Sequence, residues 1–361
     1  MTLLFTESFN TDDDASSLIW SKWTYWGTSS ASMPQILTTG GRRGSGAMRF
    51  WNTNGYERAN IGKYLGASYD TLIFGSAYYF DELDPNESLD GTNNMGFKFT
   101  TGSSTAHISI NFIRGTNSIN VRRGAPNGTL IGSSGDAVIP QSTWFYIEGK
   151  IHFDDTVGSV EIRINGKPVI ELTDVDTRNG TSLPNTFHIG GIGYNIPVGA
   201  GNQRFDDIYV CDDSGTVAND FLGDVAVVNL KPNGAGAHTG WTPSTGSNYE
   251  CVNDLYVDTA DYVESTASGV YDTYSFDNLA VVSGAVHGIQ MSAYTWKTNA
   301  GFKKSRFAFR PTSTTYDGDV LHYLQDSGTY VQEVSSLNPE TSSQWTIADV
   351  NSAEFGMKSE Q

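Results

Sequence analysis

Val160-Glu161-Ile162-Arg163-Ile164-Asn165-Gly166-Lys167-Pro168-Val169-Ile170-Glu171-Leu172 decides the fold class of this chain. Val160, Ile162 and Ile164 alternate with Glu161 and Arg163, the two-residue period of a strand with one face in a core and one in water. Asn165-Gly166 then supplies two residues that accept positive φ, as a two-residue type I′ turn requires. The segment reads as a β-hairpin, and the pattern recurs on both sides of it. His107-Ile108-Ser109-Ile110-Asn111-Phe112 and Ser118-Ile119-Asn120-Val121-Arg122 each have one apolar and one wet face. Further strands are expected near residues 3–9, 47–51, 72–80, 96–100, 145–153, 187–192 and 205–210. About ten strands in this stretch suffice for two packed sheets.

The chain has 361 residues, more than one sandwich needs, so two domains are expected. Cys211-Asp212-Asp213-Ser214-Gly215-Thr216 is polar, contains glycine and lacks an apolar period, which makes it the expected boundary. The predicted fold is all-β, with two β-sandwich (jelly-roll) domains in tandem over residues 1–213 and 217–361. In the second, strands are expected near 221–230, 273–276, 285–298, 302–310, 330–334 and 355–358, with a helical turn at 346–351. Residues 233–248, rich in Gly, Ser, Thr and Pro, read as a long loop. The halves share no internal repeat.

Asp and Glu number 40 against 22 Lys and Arg, giving a net charge of -18. A phosphate-binding surface needs clustered cations, so nucleic acid is excluded as a partner. The compact basic cluster Lys303, Lys304 and Arg306 alternates with apolar residues, as the outer face of a strand does. No apolar stretch approaches the ~20 residues of a membrane span. Met1–Asn10 lacks the basic start and apolar run of a signal peptide, so synthesis in a cytoplasm is expected. Cys211 and Cys251 fit neither a zinc site nor a disulfide framework and read as buried thiols.

Leu4-Phe5-Thr6-Glu7-Ser8-Phe9-Asn10, followed by Trp20-Ser21-Lys22-Trp23, resembles the first strand of concanavalin-A-like jelly rolls, a group that includes laminin-G-like domains and some glycoside hydrolases. Phe205-Asp206-Asp207-Ile208-Tyr209-Val210 resembles their closing strand, and Trp144-Phe145-Tyr146-Ile147-Glu148-Gly149-Lys150 their central strands. The resemblance covers most of residues 1–213 and specifies a fold better than a function. A second resemblance, to tailed-bacteriophage virion proteins, is carried by the run from Phe205 through Asn219-Asp220-Phe221-Leu222-Gly223-Asp224-Val225. Gly240-Trp241-Thr242-Pro243, Asn248-Tyr249-Glu250-Cys251-Val252 and residues 345–355 add to it. It implies a non-enzymatic structural protein, tail- or fibre-associated, on the virion surface. Its partners would be other virion proteins and host-surface glycans, and its state a homo-oligomer, a trimer or symmetric ring. A capsid decoration protein without ligand and a polysaccharide-degrading glycoside hydrolase are the alternatives.

Three kinds of site were weighed on the residues. Glu82-Leu83-Asp84-Pro85-Asn86-Glu87 has the carboxylate spacing of some retaining glycosidases. However, Pro85 and Asn86 argue against a central strand there, and an acidic loop in water is the expected reading. The jelly-roll resemblance implies a structural Ca²⁺ between the first and closing strands, held by Glu7 and Asp206, with Asp207 and Asp12 as substitutes. For glycans, Trp51, Asn52, Asn54 and Tyr56 form a polar-aromatic cluster, of which Trp51, Asn54 and Tyr56 are the candidate ligand-binding residues. Trp20, Trp23 and Trp26 form another, which core or rim packing also explains. His152 and His188 read as ordinary sheet residues. The second domain shows no chemical constellation.

Overall fold

A computed structural model of the chain describes residues 3–11, 22–28, 34–50, 59–79, 95–113, 115–192, 203–281, 283–301 and 303–360. It separates into two compact units, Met1–Val227 and Val228–Gln361. Both are built from antiparallel sheets, so the chain is all-β as expected. Among the described residues no helix is long and apolar enough to cross a membrane.

Among the described residues, the first unit contains fifteen strands. They are β1 (Leu3–Glu7), β2 (Tyr25–Thr28), β3 (Pro34–Leu37), β4 (Ala47–Phe50), β5 (Ala59–Tyr64), β6 (Thr71–Tyr79), β7 (Met95–Thr101), β8 (Thr105–Ile113), β9 (Ser118–Arg123), β10 (Thr129–Ser133), β11 (Trp144–His152), β12 (Gly158–Ile164), β13 (Lys167–Val175), β14 (Thr186–Gly191) and β15 (Gln203–Cys211). An eight-stranded sheet runs β13-β12-β11-β6-β15-β4-β3, with β1 also on β15, and a seven-stranded sheet runs β10-β9-β8-β7-β14-β5-β2. The chain passes back and forth between the two sheets, the winding of a concanavalin-A-like jelly roll. The hairpin of β12 and β13 turns on Asn165 at φ 49° and Gly166 at φ 75°, as its sequence requires.

Alternate residues of the two sheets meet in one core. Phe74 packs against Phe97 with ring centroids 4.6 Å apart, and Tyr78 stacks on Phe112 at 4.4 Å. Phe99, Phe187 and Phe205 complete an aromatic centre with no solvent exposure. Gly149 belongs to the same centre: a Cβ there would lie 2.3 Å from the Phe74 ring, so glycine admits the large side chain opposite.

The outer face of the eight-stranded sheet is covered by residues 212–227. A strand was expected over 221–230, but the segment is an extended strap, because its amides go to side chains and not to a neighbouring strand. Gly223 N–H donates to Glu148 Oε1 at 2.8 Å, Val227 N–H to Asp207 Oδ1 at 2.8 Å, and Leu222 N–H to the Tyr209 hydroxyl at 3.2 Å. The Arg163 guanidinium lies 3.8 Å above the Phe221 ring, and Lys150 pairs with Asp220 at 3.1 Å. Tyr209 in turn donates to Glu148 at 2.6 Å and Tyr146 to the Asp207 carbonyl at 2.9 Å. Both rings lie over Gly75.

In the second unit, Pro232–Thr239, Tyr271–Phe276, Glu354–Glu360, Lys304–Arg310 and Tyr316–Asp317 form a sheet in that order, and His322–Tyr323 also pairs with Lys304–Arg310. A separate ribbon joins Ile289–Thr295 to Thr329–Ser335. The ribbon and the sheet share a core of Phe307, Phe309, Phe355, Val331 and Trp345, with Ile289, Met291 and Ala293 packed on it. Helix Ile347–Ser352 is capped reciprocally by Thr346 and Asp349, which fixes the helical turn expected there. Pro232–Thr239 corrects the expected loop at 233–248. It is an edge strand whose small residues carry no apolar alternation, and a Cβ on Gly236 would lie 2.5 Å from the Thr273 carbonyl oxygen.

The close approach at Gly75 sets a test. A Cβ there would lie 2.1 Å from the Tyr209 ring and 2.8 Å from that of Tyr146. Gly75→Ala is therefore expected to lower the stability of the first unit by about 1–3 kcal/mol, the usual cost of overpacking. Urea denaturation of the two proteins measures it, and an unchanged midpoint would show that the rings move aside freely.

Candidate functional site

The outer face of the seven-stranded sheet is the candidate site, and strand register builds it. Pairing aligns Tyr25 with Gly62, Gly62 with His188, His188 with Lys98, Lys98 with Ser109, and Ser109 with Arg122. The inward neighbours of these residues are Ile61, Phe97, Phe99, Ile108, Ile110, Val121, Phe187 and Ile189, all fully buried. Side chains alternate along a strand, so burial of these residues turns Tyr25, His188, Lys98, Ser109 and Arg122 outward in one row across six strands. A second row aligns Gly27, Asn60, Gly190, Gly96, Asn111 and Asn120 in the same way. Neither row contains a carboxylate.

Within the first row the His188 ring lies over Gly62, where a Cβ would come within 2.5 Å of Nδ1. It stacks on Tyr25 with centroids 6.2 Å apart. Its Nε2 is 2.9 Å from the Thr100 hydroxyl, which already donates to the Gly102 carbonyl. The hydroxyl is left to accept, so Nε2 carries the proton and Nδ1 holds the lone pair. Nδ1 is buried without a hydrogen-bond partner among the described residues. Burial first, and then the Lys98 charge, lower the His188 pKa to about 3, so the imidazole is neutral at physiological pH.

Lys98 and Arg122 are half-buried cations, and Arg122 donates to the Gly128 carbonyl at 2.8 Å. Asn60 and Asn111 hold the Gly191 and Pro126 carbonyls at 3.2 Å and 3.1 Å. The two rows thus set the half-buried Tyr25, Lys98, Arg122 and Asn120 beside His188, Ser109, Asn60 and Asn111, which are themselves buried.

The residues singled out from sequence fall elsewhere. Trp51, Asn52, Asn54 and Tyr56 lie outside the described residues, as do Trp20, Asp12 and the carboxylates Glu82, Asp84 and Glu87; β2 includes the backbone of Trp26. Trp23 is a core residue, 5.2 Å from Phe5 and 6.1 Å from Phe9. His152 bonds Thr71 at 3.2 Å, an ordinary sheet contact. Cys211 and Cys251 are free and buried.

For the metal, β1 and β15 are paired, with Glu7 opposite Ile208. Glu7 Oε1 accepts from the Ser8 and Phe9 amides, Oε2 is buried, and the nearby positive charge is the buried Lys63 ammonium. Asp206 accepts from Arg42 N–H at 2.9 Å, Ser45 Oγ at 2.8 Å and Asp207 N–H at 2.7 Å. Asp206 Oδ2 thus takes two donors and Oδ1 one, while Glu7 Oε2 has no hydrogen-bond partner among the described residues. Asp207 is engaged by Arg43 at 2.9 Å. A second group of carboxylates lies elsewhere. The carboxylates of Asp254, Asp258 and Asp261, in the second unit, lie within 4.8 Å of one another and could hold a metal ion. They were not singled out from the sequence, in which the second domain shows no chemical constellation.

No protein-family model and no curated protein matches the chain. Among solved structures it is similar to an endo-β-1,4-glucuronan lyase from the fungus Trichoderma reesei, at 15% identity and TM-score 0.43 over 57% of this chain and 94% of that one. It is also similar to an alginate lyase from Chlorella virus (11% identity, TM-score 0.42, 58% and 99%). A carbohydrate-binding module from Bacillus subtilis is similar as well (12% identity, TM-score 0.34, 53% and 98%).

The buried imidazoles fix a pH dependence. His107, whose Nε2 pairs with Thr101 and whose Nδ1 accepts from Asn179 N–H, is lowered to about 4 by burial and then by the Arg178 charge. A depressed imidazole pKa means that the unfolded chain takes up protons which the folded chain refuses. The contribution is whole above about 6.5 and is lost as pH falls toward about 4 for His107 and about 3 for His188. Urea midpoints measured between these limits should fall with acid less steeply in the His107→Gln and His188→Gln double variant. Parallel slopes would refute the assignment.

Proposed function

We propose that the first unit binds an acidic glycan across the outer face of the seven-stranded sheet. We further propose that the chain is a non-enzymatic virion component presenting that face to host-surface polysaccharide. The row Tyr25, Gly62, His188, Lys98, Ser109 and Arg122 carries the glycan reading. Five interstrand steps of ~4.8 Å span roughly 24 Å, room for several sugar residues laid across the strands. Lys98 and Arg122 suit sugar carboxylates, the Tyr25 ring suits a pyranose face, and the half-exposed Asn120 suits a hydroxyl. The chain is strongly acidic elsewhere, so two cations in a row free of carboxylates favour an anionic polymer at this place in particular. The same lack of carboxylates in both rows speaks against glycoside hydrolysis, which needs two.

The particle reading is supported by the likeness of residues 205–225, 240–243, 248–252 and 345–355 to phage virion proteins. Repetition of the chain on a particle would give weak sugar sites avidity. Immunogold labelling of intact particles tests it. Label at the tail or its fibres is the expected result, and particles without label would remove the reading.

A second reading is favoured by one observation: the neutral His188 beside Lys98 has the makings of a base for β-elimination from a uronate. Affinity electrophoresis in gels containing alginate, polygalacturonate or neutral dextran separates these ideas. Wild-type protein should be retarded by an acidic polymer and not by dextran. Lys98→Ala with Arg122→Ala should weaken retardation at least tenfold, about 1.4 kcal/mol. Equal retardation of both proteins would discard the site. Ultraviolet absorbance from unsaturated uronate, lost in His188→Ala, would establish the lyase instead.

A further inference from the structure

We infer that the second unit carries its own glycan-binding face, suited to a neutral sugar chain, on the ribbon formed by Ile289–Thr295 and Thr329–Ser335. Register pairs Ser292 with Gln332 and Tyr294 with Tyr330. Ile289, Met291, Ala293 and Val331 point into the core, so alternation turns Gln290, Ser292, Tyr294, Tyr330 and Gln332 to the opposite face. That face sets amides and a hydroxyl beside phenol rings, with the buried Val334 opposite Gln290 at its far end. Trp296, one residue past the strand, extends it, and Tyr262 closes it from a separate segment.

The rings form a continuous track. Tyr330 meets Tyr294 edge-on at 5.2 Å, Tyr294 meets Trp296 at 6.3 Å, and Trp296 meets Tyr262 edge-on at 5.7 Å. The Tyr294 ring rests on Gly328, where a Cβ would lie 2.3 Å from it, so the backbone sets its height. Tyr262 is 36% exposed and the other three are half-buried, which leaves ring area in water that packing has not used.

A large aromatic normally pays its way by burial. Four in contact at a surface, set among Gln and Ser side chains, have the composition of a sugar platform: apolar C–H faces stack on rings while hydroxyls meet amides. The charge around the track selects the class of sugar. Asp261 directly precedes Tyr262, Asp254 and Asp258 gather with it, and Lys297 is neutralised by Asp326 at 2.7 Å. An acidic polymer would be repelled here, whereas carboxylates accept hydroxyl protons from a neutral one. The face differs in this from the cationic row of the first unit and does not depend on it.

Isothermal titration calorimetry of the full chain with cellohexaose, maltohexaose and mannohexaose tests the inference. At least one of them should bind, at least tenfold more weakly in Trp296→Ala, and unchanged in Lys98→Ala with Arg122→Ala. Should Trp296→Ala fail to fold by circular dichroism, Trp296→Phe and Tyr330→Ala take its place, with the same expected weakening. No heat from any of the three at millimolar concentration overturns the proposal, and so does binding that survives loss of these rings. A wild-type dimer that Trp296→Ala converts to monomer in light scattering overturns it too, because the face would then be covered by a second copy.

Discussion

The constraint on which the first unit depends is burial of one side of each strand in the shared aromatic core. Phe97 and Phe99 are fully buried against Phe74 and Phe187, and that burial leaves Lys98 no direction but outward. Phe187 and Ile189 do the same for His188, and Ile108 and Ile110 for Ser109. At roughly 1.5–3 kcal/mol for each large apolar side chain, the core holds these strands in register far more firmly than any contact on the outer face could. A one-residue slip would exchange the two faces. The polar row is therefore a product of core packing, and its rigidity costs nothing extra.

The two sheets use their outer faces differently. On the eight-stranded sheet, Glu148, Asp207, Tyr146 and Tyr209 are buried under the strap of residues 212–227, and their polar atoms are matched by its amides and by Arg42 and Arg43. A buried carboxylate without such donors would cost several kcal/mol, so the strap and the polar residues beneath it require each other. On the seven-stranded sheet, the outward Ser109, Asn111, His188 and Asn60 are buried as well, with residues 124–128 bonded to part of the face. Its amides and hydroxyls hold turns, such as Asn111 with Pro126 and Ser109 with Gly124, while Lys98 and Arg122 stay half in water.

Legibility in the sequence followed the same physics. Strands with large inward residues, such as β8, β9, β11 and β12, were legible because period-two alternation is a local property. Pro232–Thr239 was not, because its half-buried and exposed positions alternate among mostly small residues that differ too little in apolar character for the period to show in the sequence. The strap was read as a strand because Phe221 to Leu230 is apolar enough, while its hydrogen bonds go to side chains far away in sequence. His107, Ser109 and Asn111 were expected on a wet face and are instead buried, bonded to Asn179, Gly124 and Pro126, because no local pattern says which segment covers a strand or which strand neighbours which. Lys98 comes beside His188 only through the pairing of β7 with β14, some ninety positions apart.

That long-range pairing also explains why His188 differs chemically from an exposed histidine. A ring laid over Gly62, with Nε2 spent on Thr100 and Lys98 beside it, cannot take a second proton without placing two charges together in a poorly solvated place. Nδ1 therefore keeps its lone pair throughout the physiological range. The row then sets the charges of the half-buried Lys98 and Arg122 beside a buried, neutral imidazole.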